Sequence, residues 1–121
     1  MAEQEIRELE LKEAKEREEK REAQEARNRE ILLELIAAGT VPEPRPLTRK
    51  ERKAMDEAGC NFSKPKTGEN RKFGELIEDT YDWIIDNIYP GQLDNVSNNI
   101  ANYIALRTYN MTYNDDLAIK N

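Results

Sequence analysis

From Ala2 to Ala38 the chain contains neither glycine nor proline, and 20 of these residues are charged. A run so rich in Glu, Lys, Arg, Ala and Leu has one regular structure open to it, a single long helix of roughly 55 Å at 1.5 Å per residue. Glutamates recur four places before a base, in Glu3 with Arg7, Glu8 with Lys12, Glu13 with Arg17, Glu16 with Lys20 and Glu25 with Arg29, the spacing that supports a helix without tertiary contact. A heptad seam started at Ile6 and Leu9 continues through Glu13, Glu16, Lys20, Ala23, Arg27 and Glu30, so a coiled coil fails after one heptad. The helix therefore reads as a solvated arm. Its end differs: Ile31, Leu32, Leu35 and Ile36 form an apolar stripe suited to docking, and Gly39 supplies the stop.

Pro42, Pro44 and Pro46 alternate with other residues directly after that stop. No helix can pass through them, so residues 39–47 read as an extended linker separating the arm, residues 1–38, from a small helical domain, residues 48–121. The fold class expected is all-α: a long charged N-terminal helix, a Pro-rich linker, a short helix and an antiparallel helical hairpin.

The short helix is signalled by Thr48 and Glu51, which match a capping box, and by Gly59 at its end. Residues 60–70 read as a loop. Beyond them, Phe73, Leu76, Ile77, Thr80, Tyr81, Ile84, Ile85 and Ile88 fall at helical spacing over four turns. The opposite side carries Glu75, Glu78, Asp79, Asp82 and Asp86, a carboxylate row best read as a solvated face. Trp83 and Tyr89 lie beside the stripe, either as edge cover for a core or as anchors for a partner. Pro90 and Gly91 break the chain, and Asp94 or Asn95 is expected to cap a last helix with Leu93, Val96, Ile100, Tyr103, Ile104 and Met111 on its apolar side. The residues after Tyr113 are expected to fray.

Composition narrows the function. Leu, Ile, Val and Phe together make up 24 of 121 residues, little material for a core. There is no histidine and a single cysteine, Cys60, so no zinc site, no disulfide and no ordinary general base can be assembled. The expectation is a non-enzyme with no cofactor, no metal and no membrane span, in a reducing cytoplasmic setting. The glycosylation-type triplets at Asn61, Asn95 and Asn110 carry no weight without an export signal.

Net charge runs −4 over residues 1–42, +4 over 43–72 and −6 over 73–121. The basic block, with Arg45, Arg49, Lys50, Arg52 and Lys53, makes a small helical nucleic-acid-binding or regulatory protein the alternative reading. It is the weaker one, because the chain as a whole repels phosphate and the segment has no interleaved aromatic or Gly-rich loop.

Residues 73–121 number 49, near the size at which a domain needs a staple, a metal or a partner. Either the basic helix and the Ile31 to Ile36 stripe pack on the hairpin, or another protein does. The expectation is that another polypeptide completes it, on a partner-binding face of Phe73, Leu76, Ile77, Tyr81, Trp83, Ile84, Tyr89, Tyr103 and Tyr109, with a homo-oligomer as one form of the answer.

The segment Arg45-Pro-Leu-Thr-Arg-Lys-Glu-Arg-Lys-Ala-Met-Asp-Glu-Ala-Gly59, the acidic amphipathic helix after it, and the closing stretch from Leu93-Asp-Asn-Val96 to Thr108-Tyr-Asn110 resemble the small tail assembly chaperones of long-tailed bacteriophages. The resemblance covers roughly residues 45–114 and leaves the arm outside it. It implies a non-enzymatic helical protein of the host cytoplasm that coats the tape measure protein and helps recruit tail tube subunits.

Overall fold

The computed structural model describes residues 2–113. Its four helices are α1 (Glu3–Ala37), α2 (Arg49–Glu57), α3 (Phe73–Ile88) and α4 (Asn98–Tyr113), with no strand among the described residues. The expected fraying after Tyr113 lies outside them.

α1 and α2 end for a local reason. Gly39 and Gly59 take φ of 73° and 71°, the left-handed conformation a side chain resists, and so close α1 and α2. At the start of α2 the capping box forms in full: the Thr48 hydroxyl accepts from the Glu51 amide at 3.2 Å, and the Glu51 carboxylate accepts from the Thr48 amide at 2.9 Å. The last helix starts later than Asp94 or Asn95 would have it. Ser97 is the residue at its head, its hydroxyl accepting from the Ile100 amide at 3.3 Å and its carbonyl from the Ala101 amide at 3.0 Å. Leu93 and Val96 consequently sit in the turn, where Leu93 is buried as a plug beneath the hairpin.

Through residue 27 the side chains of α1 are exposed. Of the five expected ion pairs only Glu25 with Arg29 closes, at 4.0 Å, joined by Glu18 with Arg21 at 3.9 Å. Fixing two long, hydrated side chains costs about what the attraction returns, so most such pairs stay open. The helix rests on propensity until its last turns, where Leu32 is buried and Leu35 and Ile36 are half-buried against α4.

α3 and α4 form the hairpin, and its core is Ile84, Tyr89, Ile100, Tyr103, Ile104 and Tyr109. The rest of that core comes from the same chain. Leu32 of α1, Val41 and Leu47 of the Pro-rich segment and Met55 of α2 are all buried within it. The surplus apolar surface of the hairpin is thus covered in cis, and the expectation that another polypeptide must complete it is corrected: an extended segment supplies the missing wall.

That segment is built for the task. Val41, Pro44 and Leu47 are three residues apart, the period of polyproline II, and Val41 and Leu47 are the residues it buries. Its three prolines have no N–H to satisfy. Two of its remaining amides are caught by hydroxyls of the hairpin: Arg45 N donates to the Tyr89 hydroxyl at 3.2 Å, and Leu47 N to Thr112 Oγ1 at 2.8 Å. Thr80 does the same for the loop after α2, accepting from the Phe62 amide at 3.0 Å while donating to the Leu76 carbonyl at 2.7 Å. Irregular backbone can be packed on helices only if its polar groups find partners, and here the helices lend them. Residues 39–47 are therefore extended, as their prolines require, and are also part of the core.

Candidate functional site

The structure separates the nine expected partner-binding residues. Leu76, Ile84, Tyr89, Tyr103 and Tyr109 are buried, none more than 6% exposed, so they belong to this chain's own core and offer nothing to a partner. The Tyr89 hydroxyl, for example, is bonded to Thr108 Oγ1 at 2.6 Å. Ile77, Tyr81 and Trp83 are half-buried, and Phe73 alone is open, 64% exposed, with its ring edge-on to Phe62 at 5.9 Å. Helical periodicity identifies an apolar face correctly, but it does not say whose chain covers that face.

A polar knot holds the loop after α2 beneath α4. Asn61 is 1% exposed and uses its full capacity: Nδ2 donates to Asp56 Oδ1 at 2.7 Å and to the Tyr113 hydroxyl at 3.1 Å, while Oδ1 accepts from the Tyr109 hydroxyl at 2.8 Å and the Ser63 amide at 3.0 Å. The Ser63 and Tyr109 hydroxyls pair as well. Around it the Phe62, Tyr109 and Tyr113 rings lie in sequence with centroids 4.6 Å apart. Burial pushes the Tyr109 and Tyr113 hydroxyls up, Tyr113 to about 12. Every buried side-chain nitrogen and oxygen among the described residues has a partner. The knot is saturated, which suits a structural role.

The charged groups follow the same pattern. Arg71 donates to both Glu69 oxygens, to Asp79 Oδ2 at 2.7 Å and to the Gly59 carbonyl at 2.5 Å, clamping the 60–70 loop to α3. Its guanidinium holds the Glu69 carboxyl at about 2. On the outer face of α3, Asp82 is pushed up by lost hydration and by its neighbours Asp86, Glu78 and Asp79. No group of three or more Asp, Glu or Cys among the described residues lies close enough to hold a metal ion. The Cys60 thiol is pushed up by burial, away from the thiolate that nucleophilic chemistry needs.

In the basic block, Arg45 is committed. Its guanidinium meets Glu51 two-pronged, at 2.8 Å on each arm, and so is not a free phosphate ligand. Glu51 is held at about 2, first by those bonds. Its folded value lies below the ordinary 4.5, so the pair stabilises the protein above about pH 4.5, and that contribution is lost as pH falls toward 2. Arg45 is half-exposed, which limits the effect to about 0.5–1 kcal/mol. The expected result is that Glu51→Gln melts a few degrees below the parent at pH 7 and together with it at pH 2. A gap of equal size at both pH values would contradict this origin.

A groove of about 410 Å³ lies open between the end of α1, the extended segment and α4. It is lined by Leu33 and Ile36 of α1, Pro44 of the extended segment and Met111 of α4, together with the buried Leu32 and Tyr103. Its charged lining residues are Arg29, Arg107 and a single acid, Glu43; Arg29 also lies 4.0 Å from Glu25 on its own helix. Leu33 is 60% exposed although it lies one residue past the buried Leu32. Sequence periodicity missed the groove, since its walls come from three separated stretches. The local signal available was Leu33, an extra leucine beside the docking stripe.

Among the described residues no helix is long and apolar enough to cross a membrane. No family model, curated protein or solved structure matches this chain.

Proposed function

We propose that the protein is a non-enzymatic assembly chaperone that binds a long helical partner, of the kind that the resemblance of residues 45–114 to phage tail assembly chaperones implies: a tape measure protein, with tail tube subunits recruited to it. The observation that supports a long helical partner is the arm, which lies outside the resembling residues 45–114. α1 runs 35 residues, about 52 Å, and its first 25 or so residues are exposed along their whole length. They add nothing to the core of their own chain. A self-supporting helix attached to a small, internally saturated body is an extended surface of alternating charge, suited to lying along another helical protein. The body keeps the arm's base fixed through Leu32, Leu35 and Ile36.

Co-expression with a long helical tape measure protein tests this. The expected outcome is a soluble complex in which amides of residues 3–27 exchange more slowly than in the free protein, and whose yield falls at least tenfold when those residues are removed. A partner left insoluble, with unchanged exchange in the arm and in Phe73, would contradict the proposal.

A further inference from the structure

We infer that the groove between α1, the extended segment and α4 receives the N-terminal tip of α1 from a second copy of this chain, so that copies join head to tail. Both halves of the contact are present in every chain. At the tip, Glu5, Ile6, Leu9 and Glu10 share one face by their three- and four-residue spacing. Ile6 and Leu9 are 53% and 57% exposed and belong neither to the core nor to the hydrophobics packed against it. Residues 3–10 carry four acids, Glu3, Glu5, Glu8 and Glu10, against one base, Arg7. The groove is the complement: apolar at Leu33, Pro44 and Met111, cationic at Arg29 and Arg107. Seating Ile6 and Leu9 against those residues brings the tip's carboxylates toward Arg107 and toward Arg29, whose own pair with Glu25 is long, 4.0 Å, and exposed, and so costs little to exchange.

The occupant has to come from another molecule. Ile6 and Arg29 lie 23 residues apart on one continuous helix, about 35 Å, so a tip cannot reach the groove at the base of its own helix. The arrangement is also not a reciprocal pair. Ile6 and Leu33 are separated by 27 residues, about seven and a half turns, and so point to opposite sides of α1. Two arms laid side by side cannot present both tips to both grooves. A contact between different patches on successive copies propagates instead of closing after two. The contact is small, so it forms weakly and at high concentration, and its ion pairs weaken with salt. The inference stands on tip and groove alone, independently of which partner the arm lies along.

Sedimentation velocity on the full chain, from about 10 µM to about 1 mM at low salt, provides the test. The wild type should sediment faster as concentration rises, with no plateau at a dimer, and should return to monomer at about 0.5 M salt. The tip variant Ile6→Asp with Leu9→Asp and the groove variant Leu33→Asp with Arg107→Glu change exposed residues only, so each should keep the parent's melting curve and remain a monomer. Mixed in equal amounts, they retain one good tip and one good groove between them and should form a 1:1 dimer and nothing larger. A wild type that stays monomeric, a plateau at a dimer, a groove variant that associates like the parent, or a mixture that stays monomeric would each overturn the inference.

Discussion

Removing residues 1–47 is expected to leave a chain that no longer folds, whereas removing residues 2–27 is expected to shift the melting temperature by no more than a few degrees. The two deletions differ by the end of α1 and the extended segment. Those stretches contribute Leu32, Val41 and Leu47, each no more than 8% exposed. Burial of such side chains is worth roughly 1.5–3 kcal/mol apiece, about 5–9 kcal/mol together. Residues 28–113 as one small body would have a total stability of about 4–13 kcal/mol, so the longer deletion removes most of it. It also takes away the Arg45 and Leu47 amides that bond Tyr89 and Thr112, and it bares the apolar flank of α4. The shorter deletion removes side chains that are exposed throughout, and ion pairs too open to matter. Circular dichroism melts of both proteins check this. A cooperative transition for residues 48–121 near that of the full chain would show that the hairpin needs no help.

Asn61→Ala is expected to be the most damaging single substitution of a polar residue, costing about 2–4 kcal/mol. The side chain is buried and makes four hydrogen bonds. Truncation strands the Ser63 amide and the Tyr113 hydroxyl; both bonds are part-buried, so each loss falls at the low end of the roughly 1–3 kcal/mol that an unpaired buried polar group costs, and the space left by the buried side chain adds to it. The Tyr109 hydroxyl keeps Ser63 and the Asp56 carboxylate keeps Lys64 at 3.7 Å, which holds the total below a fourfold loss. Urea denaturation should show a lower midpoint with an unchanged slope, and the melting temperature should fall by roughly 10–25 °C. Asn61→Asp should be no better. It restores the Oδ1 acceptor for the Ser63 amide and the Tyr109 hydroxyl but turns the Nδ2 contact with Asp56 into two carboxylates 2.7 Å apart, a pair that cannot both ionise without penalty. An Asn61→Ala protein as stable as the parent would mean that the knot is decoration.

How much of this was visible in the residues depended on range. Features set by neighbours in sequence were legible: the uninterrupted α1, its stop at Gly39, the Thr48 and Glu51 box, and the four-turn apolar stripe of α3 all appear where local chemistry puts them. Features set by distant residues were not. Val41 and Leu47 look like linker residues because prolines surround them, and nothing nearby announces that Tyr89 and Thr112 will accept the bonds of that segment across 44 and 65 residues. Asn61 read as part of a glycosylation-type triplet and is instead the most connected side chain beneath α4. The reversal at Tyr89, Tyr103 and Tyr109 has the same origin. An aromatic at a helix surface is an anchor for whatever covers it, and a segment of the same chain arrives first because its effective concentration is high.

The candidate groove shows the limit from the other side. Its walls are ordinary residues, and only the fold places Arg29, Leu33 and Met111 together. The exposed pair Ile6 and Leu9 was legible as one aborted heptad, yet its complement some 27 residues further along the same helix was not, because complementarity between molecules has no local period.

The Pro-rich segment is a wall of the core and not a tether. Native-state hydrogen exchange by NMR on the intact chain addresses it at two atoms, the amides of Arg45 and Leu47. Both are expected to exchange with a free energy of opening close to that of Ile84 and Ile104, while amides within residues 3–27 exchange far faster. Rapid exchange at Arg45 and Leu47 alongside full protection of α3 and α4 would contradict it.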